Sequence, residues 1–321
     1  MSLDNLFITG IAGTLGSSLA EIFLKRGVNV RGNDIVRVDE AWRLSGIKDD
    51  VEYLWKSSFD LQSSDLEGCN AVVDCGVGYP DRPFGANSPR ETCLGNINPA
   101  LGLLETVKAM RKKPVVVYPS SFNVFYGNIG GEITEKTKLS PASLYGWSKA
   151  AAELLYFTYY KAYGVPVIVT RVGSAFGAKG RSDELPHKLI LYSLKNKTFH
   201  LKSPKAKRLW TYSEDVLNFY GKLFEALDGF VGETLHCAGN LGDKIVTNTQ
   251  LAEKILKVTD SSMKIMEAPY EPGEIINGKP VDFSIDSAYT REALNWQPKY
   301  TLEQGLRETV RWFKENLGKF L

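Results

Sequence analysis

Apolar positions along the chain follow two patterns that alternate. Short runs rich in valine and isoleucine lie at residues 6–9, 28–34, 71–75, 114–119 and 166–171, each flanked by turn residues. In all of them but 28–34 the apolar residues are consecutive rather than every second one, as in strands covered on both faces of a parallel sheet. Between them, residues 14–26, 90–112 and 142–163 carry the period of amphipathic helices. This alternation predicts right-handed βαβ crossovers and an α/β, doubly wound parallel sheet. After Gly173 the rhythm is less regular, with breaks at Pro186, Pro204, Gly232, Pro269, Pro272, Gly273 and Pro280. That half is expected to form a smaller α/β lobe over the carboxyl ends of the strands, where open sheets bind ligands. The run 233–237 is expected to return to the main sheet, and the last helix to cover 302–316. The division that follows is a cofactor domain at 1–173 with about 208–240, and a substrate-binding lobe at 174–207 and 241–321.

Composition narrows the class without naming a chemistry. The 321 residues include 39 Lys and Arg against 37 Asp and Glu, a net charge of +2 that does not suit a nucleic-acid binder. The four cysteines, Cys69, Cys75, Cys93 and Cys237, show no short spacing, so neither a disulfide framework nor a zinc knuckle is expected. With three histidines in the chain, no metal site is expected either. Residues 6–24 are fairly apolar, but Asp4 stands in front of them and Gly10, Gly13 and Gly16 interrupt them. No stretch reaches the roughly 18 apolar residues of a membrane span. The expectation is a cytoplasmic protein whose partners are small molecules.

The first strand runs directly into Gly10-x-x-Gly13-x-x-Gly16, with a helix behind it. Glycines at these positions permit a tight turn, a close backbone approach to a pyrophosphate, and close packing of helix on strand. The helix N-terminus adds N–H groups and the positive end of its dipole. Asp34 follows 24 residues after Gly10, at the end of the next strand. A carboxylate there accepts hydrogen bonds from an adenosine ribose and repels a 2′-phosphate, which favours NAD over NADP. Arg37, three residues on, is the residue that could still serve a phosphate.

Tyr145 and Lys149 lie four residues apart on one face of the helix predicted at 142–163. A free tyrosine titrates near about 10, and a neighbouring ammonium lowers that value into the range of a usable acid and base. A hydroxyl to orient the substrate oxygen is available from Ser120 or Ser121, directly after the strand at 114–119.

Taken in order, the glycine turn, the Ser-Ser strand end and Tyr145-x-x-x-Lys149 resemble the extended short-chain dehydrogenase/reductases, the NAD-dependent sugar epimerases and dehydratases. The resemblance extends from Leu6 to about Phe313. Phe59-Asp60-Leu61, Val73-Asp74-Cys75-Gly76, Asn96, Arg171-Val-Gly-Ser174 and Arg208…Asp215-Val fall where that family has corresponding motifs, as does Leu294-Asn-Trp296-x-Pro298. It implies a Rossmann-type fold and a cofactor set of Gly10, Gly13, Thr14, Leu15, Gly16, Asp34, Ile35, Asp60, Leu61, Cys75, Gly76, Asn96, Ser120, Tyr145, Lys149 and Val172. It implies that Tyr145 takes the proton of a sugar hydroxyl, that Lys149 holds the nicotinamide ribose, and that Ser121 binds the developing carbonyl. Ser121 is preferred to Ser120 because Ser121-x-x-Val124-Phe125 is similar to the family's Ser-x-x-Val-Tyr. Tyr126 then stands where the family has glycine.

The substrate motifs depart from the family. Phe122 and Asn123 occupy the places of the dehydratases' Asp-Glu pair, which speaks against elimination of water. Glu271-Pro272-Gly273-Glu274 puts a carboxylate where a diphosphate-binding cation is expected, and Ser174 replaces an asparagine. Arg208 is present, with Lys202, Lys205 and Lys207 nearby, and Arg181 and Lys188 are further candidates for an anionic substrate. The first reading is a nucleotide-sugar 4-epimerase. Alternatives are a dehydrogenase of a free uronate or aldose, with Ser174 and Arg181 binding the sugar acid, and a non-catalytic NAD-binding regulator. A homodimer is implied, built on the helices at 90–112 and 142–163, with the aromatic residues Tyr156, Phe157, Tyr159 and Tyr160 at that interface or in the core.

Overall fold

The computed structural model describes residues 3–77, 88–127, 130–270, 275–276, 279–280 and 282–320. Its main sheet is built from β1 (Asn5–Thr9), β2 (Asn29–Asp34), β3 (Val51–Trp55), β4 (Ala71–Asp74), β5 (Val115–Ser121), β6 (Val167–Val172) and β7 (Thr234–Cys237). The order across the sheet is β7-β6-β5-β4-β1-β2-β3. Pairs β1–β2, β1–β4, β2–β3 and β4–β5 are parallel, so the fold is a Rossmann-type doubly wound sheet. All five strands expected from the apolar runs are present, and the run near 233–237 takes the sheet edge as β7. The edge strand β3 has no counterpart among those runs. Apart from Val51 it is half-buried or exposed, so it lacks the continuous apolar signature that marks β1, β4, β5 and β6.

Helices α1 (Thr14–Leu24), α2 (Pro89–Ala109) and α3 (Leu144–Tyr163) follow the strands. Leu103, Leu104 and Val107 of α2 and Ala152, Tyr156 and Tyr159 of α3 pack with Phe7, Val72, Val116, Val167 and Val169 of the sheet. Tyr156 and Tyr159 therefore belong to the core. On α1, Phe23 meets Phe224 of α5 (Ser213–Glu225) with ring centroids 4.8 Å apart. Sheet order reverses between β1 and β4, and such a switch point opens a crevice at the carboxyl ends of the strands.

The chain packs into two compact units. One comprises Met1–Val124, Ser143–Arg171 and Tyr220–Leu235; the other Phe125–Ala142, Val172–Phe219 and His236–Leu321. Residues 125–142 fall in the second unit because Glu132–Ile133 pairs with Ser284–Ile285 and Glu135 accepts a hydrogen bond from Thr290. Residues 208–219 fall there because Lys207–Tyr212 pairs with both Ser174–Phe176 and Ile245–Thr247. The core of this unit joins Phe176, Trp210 and Tyr212 to α4 (Leu185–Leu194), α6 (Asn248–Thr259) and α7 (Leu302–Glu315). Asp215 accepts backbone hydrogen bonds from Lys299 and Tyr300 at 2.7 and 3.3 Å, and its own carbonyl accepts from Trp296 Nε1 at 3.1 Å. The Arg208…Asp215 and Trp296-x-Pro298 motifs are thus two halves of one structural contact.

Candidate active site

Gly10 leaves β1 with φ of 60°, in the left-handed region where a Cβ is strained. A Cβ there would also lie 2.8 Å from the backbone of Cys75 and Gly76, at the end of β4. Gly16, in the first turn of α1, would place a Cβ 2.4 Å from the Gly10 carbonyl oxygen and 2.8 Å from Ile11 Cα. The spacing of these glycines is therefore set by contact between the turn, α1 and β4. Gly13 is the N-cap of α1 and no side chain caps this end, where Thr14, Leu15 and Gly16 form the first turn. Asp34 holds the turn from the side: Oδ2 accepts the Ala12 N–H at 3.0 Å and Oδ1 accepts the Val36 N–H at 3.1 Å. A carboxylate has lone pairs beyond these two, which remain for ribose hydroxyls. Ile35 is exposed beside it. The Arg37 guanidinium stacks 4.9 Å over the Trp55 ring and pairs with Asp39 at 3.5 Å. A turn that a single Cβ would fill, a helix N-terminus without a side-chain cap, and a fixed carboxylate at the end of β2 fit a dinucleotide without a 2′-phosphate.

Further along the crevice, Asp60 is exposed at the end of a short turn while Leu61 is buried in the core. Asp74 is buried, and it accepts hydrogen bonds from the hydroxyls of Thr9 and Tyr156. Thr9 Oγ1 in turn accepts the Gly76 N–H at 3.1 Å, which ties the β1 and β4 ends together. Burial and the neighbouring Asp74 both push the Cys75 thiol up, with Lys149 opposing them. Asn96 is buried and donates to Thr92 O at 2.9 Å and Ser148 Oγ at 3.0 Å, linking α2 to the turn of α3 between Tyr145 and Lys149.

Ser143 caps α3, its Oγ accepting the Gly146 N–H at 3.0 Å, so Tyr145 lies in the first helical turn and Lys149 in the next. Tyr145 is half-buried. Lys149 is 2% exposed, donates to Pro119 O at 2.9 Å and stands 4.6 Å over the Tyr118 ring. Burial brings its pKa down to about 8, against the opposing fields of Asp74, Cys75 and Glu153. Tyr118 stacks on Tyr156 at 4.4 Å. Its hydroxyl is held far above the usual range by burial first, then by Asp74, Tyr145 and Glu153.

The two serines after β5 have different surroundings. Ser120 is buried and donates to Glu153 Oε1 at 2.5 Å; that carboxylate also takes Arg171 Nη2 at 2.9 Å and Nε at 3.2 and 3.3 Å. Ser121 is half-buried, and its Oγ accepts the Asn123 N–H at 3.2 Å and the Asn123 side-chain N–H at 3.0 Å. Phe122 between them is buried. Glu153 is absent from the residues singled out by motif, and Asn123 is named there only as a departure from the dehydratases' Asp-Glu pair, not as a partner of Ser121. Glu153 had a local signal, standing four residues after Lys149 on α3. Asn123 had none, because its role arises from a turn.

Val172 ends β6, and the remaining candidates lie in the second unit. Ser174 is half-buried and opens a strand that pairs with Trp210. Arg181 forms a two-bond ion pair with Asp183, at 3.0 and 2.7 Å. Lys188 is exposed on α4. Arg208 donates from Nη1 to the Tyr126 hydroxyl at 2.9 Å with its guanidinium 5.4 Å over that ring, so Tyr126 orients it. Lys207 pairs with Asp282 at 2.8 Å. Residues 271–274, with their Pro-Gly turn, lie outside the described residues. Among the described residues, no helix is long and apolar enough to cross a membrane.

A protein-family model described as GDP-mannose 4,6 dehydratase matches residues 84–309. A UDP-glucuronate 4-epimerase of Thermodesulfobacterium geofontis is 26% identical, the match covering 97% of this chain and 96% of the relative. A dTDP-glucose 4,6-dehydratase of Neisseria gonorrhoeae is also 26% identical, with 97% and 96% covered. The crystal structure of dTDP-glucose 4,6-dehydratase from Bacillus anthracis in complex with NAD superposes with a TM-score of 0.83 at 25% identity, covering 98% of this chain and 97% of that one.

Proposed function

The chain belongs to the extended short-chain dehydrogenase/reductase family of NAD-dependent nucleotide-sugar epimerases and dehydratases, and on that premise we propose that it is a nucleotide-sugar 4-epimerase. The cofactor is NAD, seated on Gly10, Gly13, Thr14, Leu15 and Gly16 with its adenosine ribose on Asp34. Ile35, Asp60, Leu61, Cys75, Gly76, Asn96, Ser120 and Val172 complete its surroundings. Bound there, NAD would supply a hydride acceptor for the sugar carbon and, in its reduced form, a hydride donor.

The chain's own groups handle the proton. Tyr145 accepts it from the sugar hydroxyl as the carbon is oxidised, and gives it back on reduction. Lys149, charged below about pH 8, favours the phenolate form of Tyr145 and holds the nicotinamide ribose. Ser121 donates a hydrogen bond to the oxygen as it becomes a carbonyl. Arg208, held by Tyr126, is the cation best prepared for a diphosphate; Ser174, Arg181 and Lys188 complete the substrate set, Arg181 less directly because Asp183 already pairs with it.

The observation that carries epimerase over dehydratase is the pair after Ser121. Loss of water needs one group to donate a proton and another to remove one. Phe122 is apolar and buried, and the Asn123 amide is engaged with Ser121. Neither can do that work near neutral pH. The protein is further proposed to be a cytoplasmic homodimer pairing through α2 and α3, where Leu94, Trp147 and Leu154 are exposed; a monomer in analytical ultracentrifugation would remove the dimer from the proposal.

The test offers UDP- and dTDP-sugars beside free uronates, following NADH absorbance and product stereochemistry together. Epimerised nucleotide sugar without net NADH is the expected outcome. A 4-keto-6-deoxy product would establish dehydratase chemistry instead, and NADH accumulating with free acids alone would establish a dehydrogenase. Tyr145→Phe should lower turnover by about 10²- to 10⁴-fold while keeping NAD affinity. Turnover that survives the change would remove Tyr145 from the mechanism.

A further inference from the structure

We propose that Asn123 is a positioning residue that sets the Ser121 hydroxyl as a hydrogen-bond donor toward the sugar oxygen; this rests on the reading of Ser121 given above. Among the described residues, both hydrogen bonds that Ser121 Oγ accepts come from Asn123, from the backbone N–H at 3.2 Å and from Nδ2 at 3.0 Å. A serine hydroxyl has one proton and two acceptor sites. With both acceptor sites filled by Asn123, the proton is what the group has left to offer. That is the polarity the reaction needs, because an oxygen surrendering its proton to Tyr145 gains from a donor and not from a second lone pair.

The residue is well placed to hold this arrangement. Its carbonyl oxygen presses on the first turn of α3, where a Cβ on Gly146 would lie 2.4 Å away. Gly146 directly follows Tyr145, so one short turn indexes Ser121 against the helix that carries the phenol. Among the described residues Asn123 Oδ1 is buried without a hydrogen-bond partner, and the side chain engages Ser121 through its donor end. Turning the amide over would make Oδ1 the acceptor of the Ser121 proton and withdraw that proton from the substrate. A carboxylate of the same shape imposes that reversed state, which makes Asn123→Asp the decisive variant.

The experiment measures kcat and KM with UDP-glucuronate, UDP-glucose and dTDP-glucose for wild type, Asn123→Asp, Asn123→Ala and Ser121→Ala, and for both Asn123 changes in the Ser121→Ala background. Asn123→Asp should lower kcat by about 100-fold and Asn123→Ala by about tenfold, with KM moving less than about threefold. In the Ser121→Ala background each should change kcat by less than about twofold, because the group it acts through is gone. Full turnover by Asn123→Asp, or an equal loss in both backgrounds, overturns the proposal. Crystal structures of wild type and Asn123→Ala with NAD provide a readout that needs no substrate: Ser121 Oγ should hold one rotamer in the first and spread over several in the second. One unchanged rotamer in Asn123→Ala overturns the positioning role. Failure of wild type to turn over any of the three sugars counts against the epimerase reading, while the rotamers still decide the role of Asn123.

Discussion

Lys149 keeps its charge against the effect of burial, and two pH dependences of opposite sign follow. With its pKa lowered from 10.5 to about 8, the side chain is charged below that pH and neutral above it. Turnover that depends on its ammonium should therefore fall as pH rises through about 8. Stability moves the other way. Between pH 8 and 10.5 the unfolded chain binds the proton that the folded protein has released, so this group makes the fold more stable as pH rises through that window. A pH–rate profile run beside thermal melts separates the two: alkaline loss of activity should come without a matching loss of melting temperature from this residue. A parallel fall in both would mean that unfolding, and not Lys149, sets the limb. The Tyr145–Lys149 pair was legible at this scale because its four-residue spacing is local to one helix. The lowering of its pKa was not, since burial against Pro119 and Tyr118 of β5 causes it, with Asp74 of β4 opposing, and all of these are distant along the chain.

At the scale of elements, the contacts that define the site are those between strand ends and helix starts. Gly16→Ala should cost about 1–3 kcal/mol and most of the NAD affinity, because its Cβ would overlap the Gly10 carbonyl at the strand-to-helix turn. NADH titration and urea denaturation together would check both effects; unchanged affinity would mean that the turn can open without penalty. On α3, Glu153 is 2% exposed and its Arg171 partner on β6 is 6% exposed. Glu153→Ala strands a buried guanidinium and should destabilise by about 3–5 kcal/mol, whereas loss of an exposed pair such as Lys25–Glu21 should cost less than about 1 kcal/mol. Equal effects in denaturant melts would contradict the burial that separates them. Strands β1, β4, β5 and β6 were readable because burial on both faces writes a continuous apolar run. Edge strand β3 was not, since its outer positions carry Glu52 and Trp55, with Tyr53 and Leu54 half-buried.

For the whole molecule, NAD binds the folded state alone, so at a hundred times its dissociation constant it should stabilise by about 2.7 kcal/mol and raise the melting temperature. NADP should do much less, with Asp34 fixed by two backbone N–H groups and Arg37 engaged with Trp55 and Asp39. An equal shift with NADP would remove Asp34 as the discriminating residue. Sequence by itself determined the strand and helix rhythm, the glycine turn, the Tyr145–Lys149 pair and the choice of NAD, because each is written in residues close together along the chain. Tertiary structure decided that Ser120 turns into a buried ion-pair network while Ser121 stays half-buried, that Tyr126 holds Arg208, and that residues 125–142 leave the unit that precedes and follows them. Those outcomes depend on hydrogen bonds between residues 33 to 155 positions apart, as between Ser120 and Glu153 or Glu135 and Thr290, and no local spacing encodes them.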